Sequence, residues 1–343
     1  MYIENKHLIK YISYWLVFMF LIVSVMIIVG GLTRLTDSGL SITKWQLFSG
    51  IFPPFNELQW NKYFDLYKQI PEYKLQKYSI SLEEFKVIFW WEFIHRLLGR
   101  FIGITFLIPL IFFTIKLGIN KTLNLIFIFF LICLQGFIGW YMVSSGLVDK
   151  VDVSHYRLAL HLILAFIILS LIFWNFLKYN NPKNPNIKIK YNLPLFFLFF
   201  IFVQIIIGAF VSGMDAGKIY NSWPLMGSTY FPNDSLVENL FNSSIFNDPS
   251  LTQFIHRNLA YFILIFYFVI LYNIYKYDLV EFFNIIKIIG FLLFLQILLG
   301  ILTLVSGAEI LYASMHQISS IFLVSSSIYL LYLNFNISLQ PSN

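Results

Sequence analysis

The sequence predicts an all-α polytopic membrane protein: eight transmembrane helices arranged as two pseudo-symmetric four-helix bundles. Three observations predict it. Of 343 residues, 59% are hydrophobic and 12% charged, with a mean hydropathy of +0.75; a soluble globular chain is about 45–50% apolar and about 25% charged. Eight apolar runs are long enough to cross roughly 30 Å of hydrocarbon. The last four runs also repeat the first four, polar residues included.

The runs fall near 11–32, 90–115, 122–145, 158–178, 193–213, 254–275, 285–306 and 311–333. Lys6, His7 and Lys10 precede a first run that is longer than a signal h-region and lacks a small-residue cleavage pattern. No Arg/Ser-rich transit segment stands there either, so a bacterial inner membrane is the expected location. Lysines at 6, 10, 116, 121, 178, 183, 188, 190, 276 and 287 mark one side, whereas the short loops after the third and seventh runs carry only Lys150 and Arg157. Positive residues stay cytoplasmic, so both termini are expected inside. The starts of the even-numbered helices then lie outside, as do the long segments 33–89 and 214–253.

A formal charge of +6 scattered along loops reflects this topology, and no nucleic-acid partner is expected. The single cysteine, Cys133, lies in an apolar run, which excludes an intrachain disulfide or a cysteine metal site. It is expected to be a small buried hydrophobe.

An offset of 178 residues lays Gly30, Asp37, Gly39, Trp45 and Leu47 on Gly208, Asp215, Gly217, Trp223 and Leu225. An offset of 161 lays Phe93, Ile94, His95 and Arg96 on Phe254, Ile255, His256 and Arg257, and Gln135, Gly139, Ser145 and Gly146 on Gln296, Gly300, Ser306 and Gly307. His161 meets His316 at an offset of 155. Shared hydrophobicity would match Leu and Phe, not Gly, Asp, Trp, Gln and His in order. The expected organisation is an N-terminal half at 1–178, a cytoplasmic Pro/Asn-rich linker at 179–192 and a C-terminal half at 193–343. An even number of helices per half makes this a parallel repeat.

A histidine inside a bilayer segment is costly and marks a functional site by default. Here each half places one on its second helix (His95, His256) and one on its fourth (His161, His316). Both helices enter from the same side, so each pair is expected to face across a four-helix bundle. Neutral imidazole ligates haem iron, and bundle cores host such cofactors. Gly99, Ala165, Ala260 and Ser320, one turn along, leave room for a flat macrocycle. Arg96, Arg100, Arg157 and Arg257 stand where propionates would emerge. The competing readings are interhelical hydrogen bonds and zinc, for which two ligands per site fall short.

The halves differ at one place: Glu92 shares a helical face with His95, and its counterpart is Gln253. That asymmetry suggests chemistry in the first half and a simpler cofactor site in the second. Gln135 with Gly136 and Gly139, and Gln296 with Gly300, read as close helix packing with a polar contact. Asp37 and Asp215 read as turn residues. Trp45, Trp60, Trp90, Trp91 and Trp223 read as an interfacial belt. His155, in a loop, and His7, near the terminus, are expected to be solvated.

Gly-Gly-Leu-Thr-Arg-Leu-Thr-Asp-Ser-Gly-Leu (30–40), Phe-Trp-Trp-Glu-Phe-Ile-His-Arg (89–96), Gln-Gly-Phe-Ile-Gly-Trp-Tyr-Met-Val-Ser-Ser-Gly-Leu (135–147), Tyr-Arg-Leu-Ala-Leu-His-Leu (156–162) and Asp-Ala-Gly-Lys-Ile-Tyr-Asn-Ser-Trp-Pro-Leu-Met (215–226) resemble the haem A synthase family. The likeness is to the branch shared by alphaproteobacteria and mitochondria, which lacks the outer-loop cysteine pair of the other branch. The resemblance implies an eight-helix oxidoreductase that converts the C8 methyl of haem O to a formyl group by successive hydroxylations, supplying haem A to cytochrome c oxidase. It implies a resident haem b held by His256 and His316, with Arg257 beside it. It also implies haem O as substrate near His95 and His161, with Glu92 assisting. The implied partners are haem O and haem A, the lipid bilayer, a haem O synthase, cytochrome c oxidase assembly factors and an electron-transfer partner; a homo-oligomer is left open. The residues alone also accommodate a di-haem b-type electron-transfer cytochrome, which would not need Glu92. A proton-coupled transporter would instead place its site at mid-membrane.

Overall fold

The computed structural model describes residues 2–44, 49–147, 151–180, 189–242 and 244–335. Trp45, Leu47, Lys150, Lys183, Lys188 and positions 181–188 of the expected linker lie outside the described residues. The described chain is helical: α1 (Tyr2–Leu35), α2 (Glu57–Tyr67), α3 (Pro71–Leu75), α4 (Leu82–Leu117), α5 (Ile119–Gly146), α6 (His155–Asn180), α7 (Leu193–Gly213), α8 (Pro249–Lys276), α9 (Phe283–Val305) and α10 (Ile310–Phe335), with short 3₁₀ turns between some of them. All except α2 and α3 are long and apolar enough to cross a membrane, which gives the eight expected spans.

Several ends are set by chemistry that hydrophobic runs do not register. Ser81 and Glu84 form a reciprocal capping box at the start of α4, which satisfies orphan backbone donors and starts the helix two turns before its apolar run. The helix stops at Gly118, whose φ of +87° only glycine adopts cheaply. Asp248 caps α8 by accepting from the Leu251 amide, with Pro249 at the first helical position. Asp37 and Asp215, at equivalent repeat positions, both take the left-handed conformation just past the first helix of each half. They are turn residues as expected, each ion-paired within its turn, to Arg34 at 2.6 Å and to Lys218 at 3.1 Å.

The chain forms two compact units. One comprises residues 21–168. In it α4 packs on α5, and the segment between α1 and α4 folds α2 over the start of α4. Leu40, Ile42, Phe64, Tyr67, Phe85 and Phe89 form a buried cluster there. Trp60 packs edge-on to Phe89 at 4.9 Å and so belongs to this outer core rather than to a lipid-facing belt; the aromatic cluster of the cap is its better-packed partner. Trp90 and Trp223 remain exposed. Lys77 fastens the cap: its ammonium meets the buried Glu72 carboxylate at 2.9 Å and donates to the Asp37 carbonyl at the end of α1. Burial pushes the Glu72 carboxyl above its usual range, against the pull of Lys77.

The other unit comprises residues 1–20 and 169–343. Its helices pack as α7 on α8, α9 on α10 and α7 on α10. α10 is the most enclosed span, with 61% of its apolar window buried. Its far end is held by Asn334, which accepts from the Ile189 amide at 2.7 Å, and by Tyr332, which lies edge-on to Trp174. The turn from α9 to α10 is as short as expected and passes through left-handed Gly307 and Ala308.

Three expectations are corrected. Cys133 is exposed on α5 rather than buried; facing lipid costs an apolar thiol little. His155 is the first residue of α6, not a loop residue, and is half-buried with its ring 4.2 Å from that of Tyr156. Gly136 faces open space, so only Gly139 of that pair makes a close contact.

Candidate functional site

His161, His256 and His316 lie in the second turns of α6, α8 and α10, and His95 lies in the fourth turn of α4, because the capping box extends that helix outward. In the first unit, His95 and His161 come together, with ring centroids 6.5 Å apart and planes at 61°. A metal–imidazole bond is roughly 2 Å and a ring centre lies about 1.2 Å behind its nitrogen, so two imidazoles facing one metal stand about 6.4 Å apart. In the second unit, His256 and His316 stand at the equivalent positions on α8 and α10. Among the described residues no group of three or more His, Cys, Asp or Glu side chains gathers to hold an ion.

Each imidazole lies against a glycine of the preceding helix. A Cβ on Gly30 would fall 3.0 Å from Cε1 of His95, on Gly139 3.0 Å from His161, on Gly208 3.0 Å from His256 and on Gly300 3.1 Å from His316. The missing side chain lets the Cε1 edge of the ring approach the neighbouring backbone closely. The Nδ1 atoms of His95, His161 and His256 are buried without a hydrogen-bond partner. His316 Nδ1 stands 3.0 Å from the Gln296 carbonyl, the second-shell bond that leaves Nε2 as the ligand nitrogen. The paired imidazoles of the first half, with Nδ1 unpartnered, fit a porphyrin-bound iron; in the second half a glutamine amide nitrogen stands 3.4 Å from Nε2 of each histidine, a weak contact that an iron would displace.

One turn before three of the glycines stands a glutamine. The side-chain amides of Gln135, Gln204 and Gln296 donate to the main-chain carbonyls of His161, His256 and His316 at 2.9, 3.0 and 3.0 Å. The pair Gln-x-x-x-Gly is thus a histidine-holding device. For Gln135 and Gln296 the sequence predicts close packing with a polar contact; the partner of that contact, a histidine carbonyl, is what the structure adds. The signal available was the recurrence of the same i, i+4 spacing on three odd-numbered spans.

Glu92 is buried and fully engaged. One carboxylate oxygen accepts from the Ser41 hydroxyl at 2.6 Å and the Ile42 amide at 2.7 Å, and the other accepts from Arg96 at 2.5 Å. Arg96 also donates to the Ile42 carbonyl at 2.9 Å. In the second half, Arg257 donates to the carbonyls of Tyr220, at 3.0 Å, and Ser222, at 2.9 Å, and Gln253 donates to that of Tyr220 at 3.1 Å. Ile42 and Tyr220 are equivalent under the repeat, so each half grips the loop after its first span at the same carbonyl. Of the four arginines expected at propionates, Arg96 and Arg257 therefore spend much of their donor capacity on loop backbone, although Arg257 Nε is left without a partner. Arg157 lies over the Tyr141 ring at 4.6 Å and donates to its hydroxyl.

Eight apolar helices, four of them carrying a histidine set against a glycine of the preceding span, define a multi-pass membrane protein. The family described as cytochrome oxidase assembly protein (COX15-CtaA) matches residues 13–328. The chain is 51% identical over 341 residues, 98% of its length and all of the relative's, to Heme A synthase of Pelagibacter ubique (strain HTCC1062). It is 42% identical over 324 residues, 92% of its length and 96% of the relative's, to Heme A synthase of Rickettsia bellii (strain RML369-C). The chain belongs to the COX15-CtaA family of cytochrome oxidase assembly proteins.

The glycine contacts make a graded prediction. Gly208→Ala or Gly300→Ala forces the imidazole beside it to move by a few tenths of an ångström. Such variants are expected to assemble but to retain clearly less haem after purification, read as the Soret-to-protein absorbance ratio. Unchanged haem content would show that the close contact does not orient the ring.

Proposed function

We propose that this chain is a haem A synthase, an oxidoreductase that converts the C8 methyl of haem O to a formyl group by successive hydroxylations and so supplies haem A for cytochrome c oxidase. The observation that carries this reading is near-full-length similarity to heme A synthases in a chain whose four histidines each lie against a glycine of the preceding span, with His95 and His161 brought together. That similarity favours the synthase over the electron-transfer cytochrome. His256 and His316 would hold a resident haem b, and His95 and His161 would flank haem O. The bound haem would supply redox capacity.

The chain's own residues do the rest. The glycines set the plane of each imidazole, and the glutamine amides fix the helix turns that carry three of them. Glu92 and Arg96 hold residues 41–42 against α4, closing the outer end of the first pair. Glu92 is then the nearest carboxylate to His95 along the helix and the group we assign to proton handling there. Arg257, through its remaining donor, would meet a haem carboxylate. The lysine distribution supports an inner-membrane protein with both termini cytoplasmic and both haem sites toward the periplasmic side. The partners that follow are a haem O synthase as supplier, cytochrome c oxidase assembly factors as recipients and an electron-transfer protein.

The test is haem extraction and chromatography from membranes of a host that makes haem O, with and without this chain. Haem A that appears only with the chain, and disappears in His95→Ala, is the expected result. Bound haem b without haem A, when haem O and an electron partner are present, would instead identify an electron-transfer cytochrome.

A further inference from the structure

Three of the four histidine sites share one construction and the fourth departs from it. The residue four before Gly139, Gly208 and Gly300 is Gln135, Gln204 and Gln296; the residue four before Gly30 is Met26. Each glutamine amide donates to the main-chain carbonyl of the histidine on the next helix. Gln204 and Gln296 also bring the amide nitrogen within 3.4 Å of the imidazole Nε2. A thioether has no N–H to donate, so Met26 cannot tie α1 to the carbonyl of His95.

The partner of that position has changed too. One turn beyond the histidine stand Ala165, Ala260 and Ser320 in the three clamped sites, but Gly99 beyond His95. The Met26 methyl lies over it, 3.5 Å from where a Cβ on Gly99 would be. An amide hydrogen bond between two helices has thus been replaced by a flexible, apolar contact of a side chain with three rotatable bonds against a residue with none. In a membrane, where helix association has no hydrophobic drive of its own, removing a cross-helix hydrogen bond loosens the pair.

We propose that Met26 is a positioning residue that makes His95 the releasable ligand of the four: the site that must admit haem O and discharge its product is the one built without the glutamine clamp. This rests on the reading above that haem O occupies the His95–His161 pair. His161, held by Gln135, then stays in place while the α1–α4 contact yields. The same logic makes the fully clamped pair, His256 with Gln204 and His316 with Gln296, the site of retention.

The experiment measures haem release from the purified, haem-loaded full chain to excess apomyoglobin, with haem O and haem b separated by chromatography at each time. Wild type should release haem O faster than haem b. In Met26→Gln haem O release should slow by roughly three- to tenfold, the scale of one hydrogen bond, whereas Met26→Leu, without an amide, should release it at the wild-type rate. Gln204→Met should speed haem b release by a similar factor, and this arm does not depend on Met26→Gln folding. Unchanged haem O release in Met26→Gln, equal slowing in Met26→Leu, or unchanged haem b release in Gln204→Met would overturn the proposal. Wild-type protein that binds haem b but no haem O would sink the synthase reading itself.

Discussion

In His256→Ala and His316→Ala the haem b proposed for the C-terminal half is lost, and haem A formation is lost with it. Each substitution removes one of two imidazoles, and among the described residues no group of three or more His, Cys, Asp or Glu side chains gathers to offer a replacement. The opposing backbone is Gly208 or Gly300, which has no side chain to offer. The adjacent glutamine faces the site with its amide nitrogen, a donor and not a ligand for iron. The loss should be near complete rather than graded, in contrast to the glycine variants, which keep the ligand and only displace it. Pyridine haemochrome content of the purified variants reads the result directly. His95→Ala, by comparison, should keep haem b while abolishing conversion of haem O. Wild-type haem b in His256→Ala would show that the retained haem sits elsewhere, and equal haem b loss in His95→Ala would show that the two pairs do not divide the work.

The number of spans and the positions of the four histidines were legible in the sequence because a bilayer imposes a coarse rule: about twenty apolar residues per crossing, with any histidine inside them unusual. The duplication was legible because polar residues recur at fixed offsets. What escaped was anything set by contacts across helices or outside hydrocarbon. Nothing in apolar periodicity announces that α4 begins at Leu82; that depends on Ser81 and Glu84 satisfying each other's backbone. The two short helices of the outer segment are stabilised by an aromatic cluster around Tyr67 and Phe85, and Trp60 is drawn into it. Gln135 and Gln296 were visible as packing residues, but the target of their amides, a histidine carbonyl on the next span, is a three-dimensional fact. Gln204 and Met26 acquire meaning only once that target is known. Arg96 and Arg257 were placed beside carboxylates on charge alone, whereas guanidinium groups near a helix start also find loop carbonyls, and here they do.

Glu92→Gln is expected to leave haem b content unchanged and to cut haem O conversion by roughly 10²- to 10⁴-fold, the range of a lost general acid or base. The two halves grip their outer loops with different chemistry. Glu92 accepts from the loop, through Ser41 and the Ile42 amide, whereas Gln253 donates to it, at the Tyr220 carbonyl. A glutamine at position 92 keeps one acceptor and gains a donor. Whichever way its amide is turned, an N–H then faces either Arg96 or the Ile42 amide, so part of the clamp is lost along with the carboxylate. The two consequences separate experimentally. A loosened loop lowers thermal stability and is mimicked by Ser41→Ala, which removes one hydrogen bond and keeps the acid. Loss of proton handling lowers turnover without a matching fall in melting temperature and is not reproduced by Ser41→Ala. Normal turnover in Glu92→Gln would refute the assignment of chemistry to the first half on the strength of this residue. A fall in turnover equal to that of Ser41→Ala would make Glu92 a loop anchor, the counterpart of Gln253 in role as well as in position.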